Sequence, residues 1–314
     1  MPGCGRPPPA GAVAGCEEKS GCPDRRLPGP EISRRYATVS TSSDHSRRTV
    51  TSADHRAAVA TETDRFVAAV KGADLTTPVP SCPGWTLADL VKHTGSVQRW
   101  FSVLLRQQVQ ERPRSRDVEL RLPPAEDGYP DWLTASAAEA ASAFAATEPD
   151  APMWVWGADH HARFWVRRML FETLVHRTDA ERALDLRPVI DRDLAADGVD
   201  EFLTNLPFAA SFAPKVSNLR GDGKTIRFQC TDVNGDGDGD VNSNGDWLVR
   251  LRPDGFGLDP RPPGSATPAA DATVRGAAAD LLLLLYGRLD RDADLFGIEG
   301  DEELLAHWFA NSEF

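Results

Sequence analysis

The chain has 314 residues, of which 41% are hydrophobic, and a net charge of −12, which suits one large or two medium globular domains. The charge is uneven, because residues 1–50 carry +3 and the remainder carries −15. A folded body this acidic repels phosphate backbones, and no apolar run approaches the ~20 residues of a membrane-spanning helix, so neither nucleic acid nor a membrane is an expected partner.

The first segment, residues 1–51, is predicted to be a disordered tail. It is rich in Pro, Gly, Ser and Arg and has few large apolar side chains, so it cannot bury enough surface to offset its ordering entropy. Three of the five cysteines lie in this tail, and the spacing of all five fits no zinc pattern. Since no secretory signal precedes them, a cytoplasmic protein is predicted.

Four segments with helical spacing of apolar residues follow the tail. They are predicted to be helices over 52–72, 87–108, 132–147 and 160–183. Thr86 is the expected N-cap of the second helix, with Asp89 as its capping-box partner. A further helix over 191–206 leads out of the group. Four consecutive helices favour an antiparallel four-helix bundle within a first domain of residues 52–206.

After Pro207 the apolar residues no longer recur at helical spacing and instead alternate with polar residues, as in strands. Strands are predicted over 224–232, 246–255 and 272–276, and helices over 277–289 and 301–311. These elements predict a smaller C-terminal α+β domain over residues 207–314. The predicted fold class is therefore a two-domain α+β protein, with the helix bundle first.

Two short motifs in this second domain are weak matches to ligand-binding loops. Residues 232–243 match the start of a calcium loop, but Ser243 stands where the bidentate glutamate is needed, so a solvated hairpin turn is predicted. The segment GDGKT at 221–225 is rejected as a phosphate loop, because Asn218 stands where that loop needs glycine.

The fourth predicted helix carries an inward stripe that mixes apolar and metal-ligating side chains. The stripe comprises His161, Trp165, Met169, Glu172, His176 and Asp179 or Ala180. Glu172 and His176 lie one turn apart and can bind one metal ion, although such pairs are also common on solvated helix faces. His93 lies on the inward stripe of the second helix, where a lone histidine is usually a hydrogen-bonded core residue. The two stripes can meet inside a bundle, which is how bundle metal sites are built.

Three segments together resemble a known family. CPGWTLADLVKHTGSVQRW, RRMLFETLVHRTDAERAL and RGAAADLLLLLYGRL resemble the mycothiol-dependent maleylpyruvate isomerase family, which is similar to the wider DinB-like group of metal-binding four-helix bundles. The resemblance covers about residues 52–311, with both domains in the same order. It implies that His93, Glu172 and His176 bind zinc or another divalent metal, which agrees with the helical stripes.

The resemblance also implies a metal-dependent cis–trans isomerase with mycothiol as thiol cosubstrate. In that reaction the thiolate adds to an activated cis double bond, the resulting single bond rotates, and the thiol leaves. The substrate is expected to be a small anionic molecule. Arg288 is the candidate catalytic residue that would bind its carboxylate, and the alternative is a helix-end cation. Asp179 can orient a metal ligand or be a surface charge at the helix end.

Two alternative functions remain open at this point. The first is a mycothiol S-transferase that acts on electrophiles, and the second is a non-enzymatic metal-binding module, whose site would be closed by a fourth protein ligand. Trp100 and Trp165 are expected in the core, with a pocket-lining role as the alternative. Cys82 is expected to be structural, and the protein is expected to be a monomer or a small homo-oligomer.

Overall fold

The computed structural model describes residues 52–113, 118–232, 245–259 and 268–313. The tail over 1–51 and the segment 233–244, which contains most of the calcium-like loop, lie outside the described residues. Within the described ranges the chain forms seven α-helices and a five-stranded sheet, which confirms the α+β class. The helices are α1 (Ser52–Val70), α2 (Leu87–Gln107), α3 (Tyr129–Ala145), α4 (Ala162–Ala183), α5 (Arg192–Asn205), α6 (Ala278–Leu285) and α7 (Glu302–Asn311).

The first four helices pack side by side, α1 against α3 and α4, and α2 against the same two helices. Their bounds agree with the predicted segments within three residues. The capping box at the start of α2 is confirmed, because the Thr86 hydroxyl accepts from the Asp89 amide and the Asp89 carboxylate accepts from the Thr86 amide. None of the helices in the described ranges is long and apolar enough to cross a bilayer.

Helix α4 is buried on almost every side, which differs from the single inward stripe predicted for it. It contacts α1, α2 and α5, so two of its arginines lie inside the protein together with its apolar residues. Arg168 and Arg177 are 2% and 0% exposed. Within the predicted stripe, His161, which is the N-cap of α4, and Glu172 are half-buried, and the other members are buried. Buried cations need anionic partners, and these partners build the surroundings of the site below.

The C-terminal sheet is mixed, with strand order β3-β2-β1-β4-β5. The strands are β1 (Thr225–Cys230), β2 (Asp246–Arg252), β3 (Gly255–Leu258), β4 (Ala272–Gly276) and β5 (Gly297–Gly300). β1 pairs antiparallel with β2 and parallel with β4, and the outer strands β3 and β5 pair antiparallel with their neighbours. The sequence did not predict β3 and β5, because four residues with glycines are too short to show an alternating pattern.

The larger hydrophobic cluster of the described residues continues from the helices into the sheet. It contains Trp165 and Phe171 of α4, and Phe228 of β1 and Trp308 of α7. Helix α5 packs against α6, and also contacts α4 and β3. The C-terminal elements are therefore in place to contribute side chains to the interior face of α4.

Candidate metal centre

Three metal-ligating side chains from two helices meet beside α4. His93 comes from α2, and Glu172 and His176 lie one turn apart on α4. Glu172 Oε1 is 2.9 Å from His93 Nε2 and 3.6 Å from His176 Nε2. The donor atoms of all three residues lie within 4.8 Å of one another. The structure thus brings together the three residues that the sequence analysis singled out.

The spacing of these donor atoms fits a small divalent cation. Bonds of 2.0–2.1 Å at the tetrahedral angle separate neighbouring ligand atoms by about 3.3 Å, and the two contacts made by Glu172 Oε1 lie on either side of that value. Two imidazoles and one carboxylate are a ligand set found in zinc sites that keep an open position. The side chains of His93 and Glu172 are 22% and 14% exposed, so the cluster is enclosed but not sealed.

Trp85 packs against both imidazoles of the cluster. Its ring centroid is 5.0 Å from that of His93 and 6.3 Å from that of His176. It follows Gly84, whose φ of +85° lies in the left-handed region that favours glycine. The Pro-Gly-Trp turn at residues 83–85, before α2, therefore places an indole ring beside the candidate ligands. The PGW motif contributed to the family resemblance, but no role for Trp85 was predicted from the sequence.

The pKa values of the candidate ligands Glu172 and His176 shift in opposite directions, so that opposite charges are favoured. Burial alone would raise the pKa of Glu172, but its hydrogen bonds with His176 and His93 hold it well below the ordinary value of 4.5. Burial would lower the pKa of His176, but the Asp179 and Glu172 carboxylates raise it above 6.5. The carboxylate is therefore ionised at neutral pH, as a metal ligand must be.

Asp179 contacts the ring nitrogen of His176 that does not face Glu172. Its carboxylate is 3.0 Å from His176 Nδ1 and accepts from Ser81 Oγ at 2.7 Å. Hydrogen bonding at Nδ1 leaves Nε2 to face the ligand cluster. Burial would raise the pKa of Asp179, but Arg288 and His176 lower it below 3.8. Asp179 is 0% exposed, so the alternative of a surface charge at the helix end is wrong.

Arg288 reaches the cluster through Asp179. Its Nε and Nη2 donate to the two Asp179 oxygens at 3.0 and 2.8 Å, and its Nη1 donates to the Tyr286 carbonyl at 2.7 Å. The side chain is 9% exposed, which differs from a solvated helix-end cation. The Cys82 sulfur lies 3.6 Å from Asp179 Oδ2 and 3.7 Å from Arg288 Nη2.

Trp100 and Trp165 lie in the core, as expected from the sequence, whereas Arg168 was not predicted to lie near the site. Trp165 is 0% exposed and packs with Trp100 at 5.5 Å between ring centroids, so both belong to the core. Arg168 was not singled out, yet its Nη2 is 3.5 Å from Glu172 Oε2. The i,i+4 spacing of Arg168 and Glu172 was the available signal, but that spacing is just as common on solvated faces.

Two family models match the amino-acid sequence. Residues 56–181 match the mycothiol maleylpyruvate isomerase N-terminal domain, and residues 193–307 match the MDMPI C-terminal domain. Two similar solved structures are those of mycothiol-dependent maleylpyruvate isomerase and of a histidine-to-alanine mutant of it. Each is 14% identical with a TM-score of 0.48, and the match covers 79% of this chain and 93% of that one. No curated protein sequence matches the chain.

Proposed function

Because this chain belongs to the mycothiol maleylpyruvate isomerase family, we propose that it is a metal-dependent cis–trans isomerase that uses mycothiol as its thiol cosubstrate. The observation that supports this proposal most directly is the meeting of His93, Glu172 and His176 at distances suited to one cation. The substrate class is a small anionic molecule with an activated cis double bond, of which maleylpyruvate is the family's example.

The proposed metal is zinc, because two imidazoles and one carboxylate suit that ion. A divalent ion bound by this ligand set supplies Lewis acidity, which lowers the pKa of a thiol so that thiolate forms at neutral pH. The protein's own contribution is to fix the ligands. Asp179 orients His176 through Nδ1, and Trp85 packs against both imidazoles.

The proposed reaction returns the thiol unchanged. The thiolate of mycothiol adds to one carbon of the cis double bond, and the electron pair of that bond moves toward the neighbouring carbonyl. The bond is then single and rotates. The electron pair returns, the carbon–sulfur bond breaks, and the trans isomer and the thiolate are released. Covalent addition thus replaces one hard rotation by two easier steps.

Arg288 is the proposed partner of a substrate carboxylate. A guanidinium can bind a carboxylate with two hydrogen bonds, and this one is fixed within two hydrogen bonds of His176. A substrate carboxylate would share the Arg288 guanidinium with Asp179, which already binds its Nε and Nη2. Asp179 would then both orient the His176 imidazole and hold the Arg288 guanidinium in place.

The decisive experiment is a thiol panel with maleylpyruvate, in which loss of the cis isomer is followed for the purified protein with mycothiol and with other small thiols. Mycothiol-dependent isomerisation is expected, and it should disappear in His93→Ala and Glu172→Ala. Elemental analysis of the same variants should show loss of the bound metal. Full metal occupancy in both variants would remove this site from the proposal.

Two other results would redirect the proposal. Conjugation of mycothiol to electrophiles, without isomerisation of maleylpyruvate, would show an S-transferase. No turnover with any thiol, together with a metal coordination sphere closed by a fourth protein ligand, would show a structural metal-binding module.

A further inference from the structure

Arg168 is a fully buried cation one turn before the candidate metal ligand Glu172. Its side chain is 2% exposed. It lies between two carboxylates: Nη1 donates to Glu201 Oε2 at 2.7 Å, and Nη2 is 3.5 Å from Glu172 Oε2. A guanidinium stays charged even when it is buried, so carboxylates must surround it to offset the cost of removing that charge from water. The Glu201 carboxylate keeps the pKa of Arg168 above its ordinary value despite burial, which would lower it.

The two oxygens of Glu172 have different neighbours. Oε1 faces the imidazoles of His93 and His176, at 2.9 and 3.6 Å. Oε2 faces the guanidinium of Arg168. Rotation about the last side-chain bond would exchange the two oxygens or present both to the cluster, since that torsion is broad for glutamate. A charged donor on the Oε2 side favours the rotamer in which Oε1 alone faces the imidazoles.

Arg168 is itself held by groups from α5 and from the end of α6. Glu201 is 1% exposed, and it also accepts from Asn205 Nδ2 at 3.2 Å and from the Tyr286 hydroxyl at 3.4 Å. The guanidinium carbon of Arg168 lies 5.7 Å from the centroid of the Tyr286 ring, within cation–π distance. Arg168 thus makes its shorter contact with Glu201 and its longer one with Glu172. The longer contact orients the Glu172 carboxylate and leaves its Oε1 available to a metal ion.

From this geometry we propose that Arg168 is a positioning residue for Glu172, and that Glu201 and Tyr286 hold Arg168 in place for that task. The proposal rests on the metal site of the proposed function. It adds that α5, through Glu201, and the end of α6, through Tyr286, determine how well a ligand on α4 binds a cation.

The test compares Zn²⁺ affinity in the full-length protein with that of a double variant, Arg168→Met with Glu201→Gln. This pair of changes removes both buried charges together, because a lone buried charge would threaten folding. Competition with a chromophoric chelator should show Zn²⁺ binding weakened by about 10–100-fold, the usual effect of removing an outer partner of a metal ligand. The absorption spectrum of the Co²⁺-loaded protein should also change, because Glu172 is no longer held to one oxygen.

A matched control is Arg177→Met with Glu62→Gln. Arg177 is 0% exposed on the same helix and donates from Nε to Glu62 Oε2 at 2.8 Å. The Arg177→Met, Glu62→Gln variant therefore removes a similar buried ion pair, one that does not contact Glu172. Zn²⁺ affinity and the Co²⁺ spectrum should stay close to those of the unmodified protein even where stability falls. Arg168→Lys should bind Zn²⁺ with an affinity between those of the unmodified protein and the Arg168→Met, Glu201→Gln variant. Lysine keeps the positive charge but lacks the planar guanidinium that reaches two carboxylates at once.

The outcomes separate this inference from the proposed function. If the unmodified protein binds no Zn²⁺, the proposed metal site fails, and the role assigned to Arg168 fails with it. If the protein binds Zn²⁺ and the Arg168→Met, Glu201→Gln variant binds it equally well, only the role of Arg168 is overturned. An equal loss of affinity in both double variants, with unchanged Co²⁺ spectra, would show that Arg168 acts through stability alone and would also overturn it.

Discussion

Asp179 lies between Arg288 and the His176 imidazole, and this arrangement gives Arg288 two separable effects. Under the proposed function, the guanidinium binds a substrate carboxylate directly. It can also act indirectly, by fixing the carboxylate that orients His176. The first effect concerns the substrate and the second concerns the metal, so different measurements report on each.

Replacing Arg288 with lysine should separate these effects. Lysine keeps a cation beside buried Asp179 but cannot form the two-point contact with a carboxylate. We expect the KM for a dianionic substrate to rise about tenfold or more, the scale of a lost hydrogen bond between charged groups, while Zn²⁺ content stays normal. Steady-state kinetics and elemental analysis measure the two quantities. Arg275→Ala, which removes a cation paired with Glu299 on the sheet, is the control. Reduced Zn²⁺ affinity with an unchanged KM would assign Arg288 to the imidazole instead.

At a distance from the candidate metal centre, Asp197 on α5 connects three helices. Its carboxylate is 2.8 Å from His55 Nε2 on α1 and 2.7 Å from Arg167 Nη2 on α4. Burial would raise the pKa of Asp197, but the contacts with His55 and Arg167 lower it below the ordinary 3.8. The unfolded chain therefore binds a proton more readily than the folded protein does in acid.

The stability that this lowered pKa contributes is present above pH 3.8 and is lost as the pH falls through the folded-state pKa. Asp197→Asn should lower the urea midpoint at pH 7. It should also make the decline in stability below about pH 4 shallower, because one such carboxylate no longer takes up a proton. Urea unfolding at a series of pH values measures both effects, with Asp193→Asn, an exposed carboxylate on the same helix, as control. Equal slopes in acid for the two variants would contradict the assignment.

The candidate ligands, and Asp179 as a residue that can orient one of them, could be predicted from the sequence, whereas the buried ion pair that contacts Glu172 could not. His93, Glu172 and His176 stand on helical stripes with tryptophan, so local spacing was enough to suggest an enclosed face. Arg168 and Glu201 are 33 residues apart, on helices whose contact no local pattern shows. Charged side chains are usually exposed, so a buried ion pair looks like two surface charges until the packing is known.

At the scale of elements, helix α4 shows why a pattern of apolar residues can give an incomplete picture. The sequence predicted one inward stripe, but Arg168 and Arg177, which lie outside that stripe, also pair inside the protein with residues of α5 and α1. The predicted helix bounds were nevertheless accurate, because capping and periodicity are local properties. Strands β3 and β5 were missed because pairing with β2 and β4, rather than their own four residues, determines them.

Helix α5 approaches its neighbours closely at Gly198. A methyl group there would lie 2.8 Å from Leu282 Cδ1 of α6 and 2.8 Å from Phe171 Cε1 of α4. Replacing an exposed glycine inside a helix with alanine normally stabilises the protein by about 0.5–1 kcal/mol. At this position the close contacts should reverse that sign, since overpacking typically costs about 1–3 kcal/mol.

Gly198→Ala should therefore lower the free energy of unfolding, measured by urea denaturation monitored by circular dichroism. Ser142→Ala, at an exposed position of α3, raises helix propensity without filling space and should change stability by no more than about 0.5 kcal/mol. A more stable Gly198→Ala protein would mean that Leu282 and Phe171 move aside at little cost, and that α5 is not held tightly between α4 and α6.

At the scale of the whole molecule, the helices and the sheet share an interior. The described residues belong to one compact unit, and the larger hydrophobic cluster contains side chains of both parts. Polar contacts join them as well: the Tyr286 hydroxyl donates to Glu201, and Trp247 Nε1 donates to Asp200 at 3.2 Å. The sequence indicates the change from helices to strands near residue 207, but composition and periodicity carry no information about packing across that change.

A shared interior predicts that the two parts unfold together. Unfolding the C-terminal elements alone would expose the apolar face of α5 and leave Arg168 without the Tyr286 ring, so the helices would lose stability in the same step. Calorimetry should show one transition with equal calorimetric and van't Hoff enthalpies. Zn²⁺ at about 1,000 times its Kd should move that whole transition upward, because a ligand that binds only the folded state stabilises it by about 4 kcal/mol. Two transitions, of which Zn²⁺ moves only one, would show that the parts unfold independently and that the cation stabilises the helices alone.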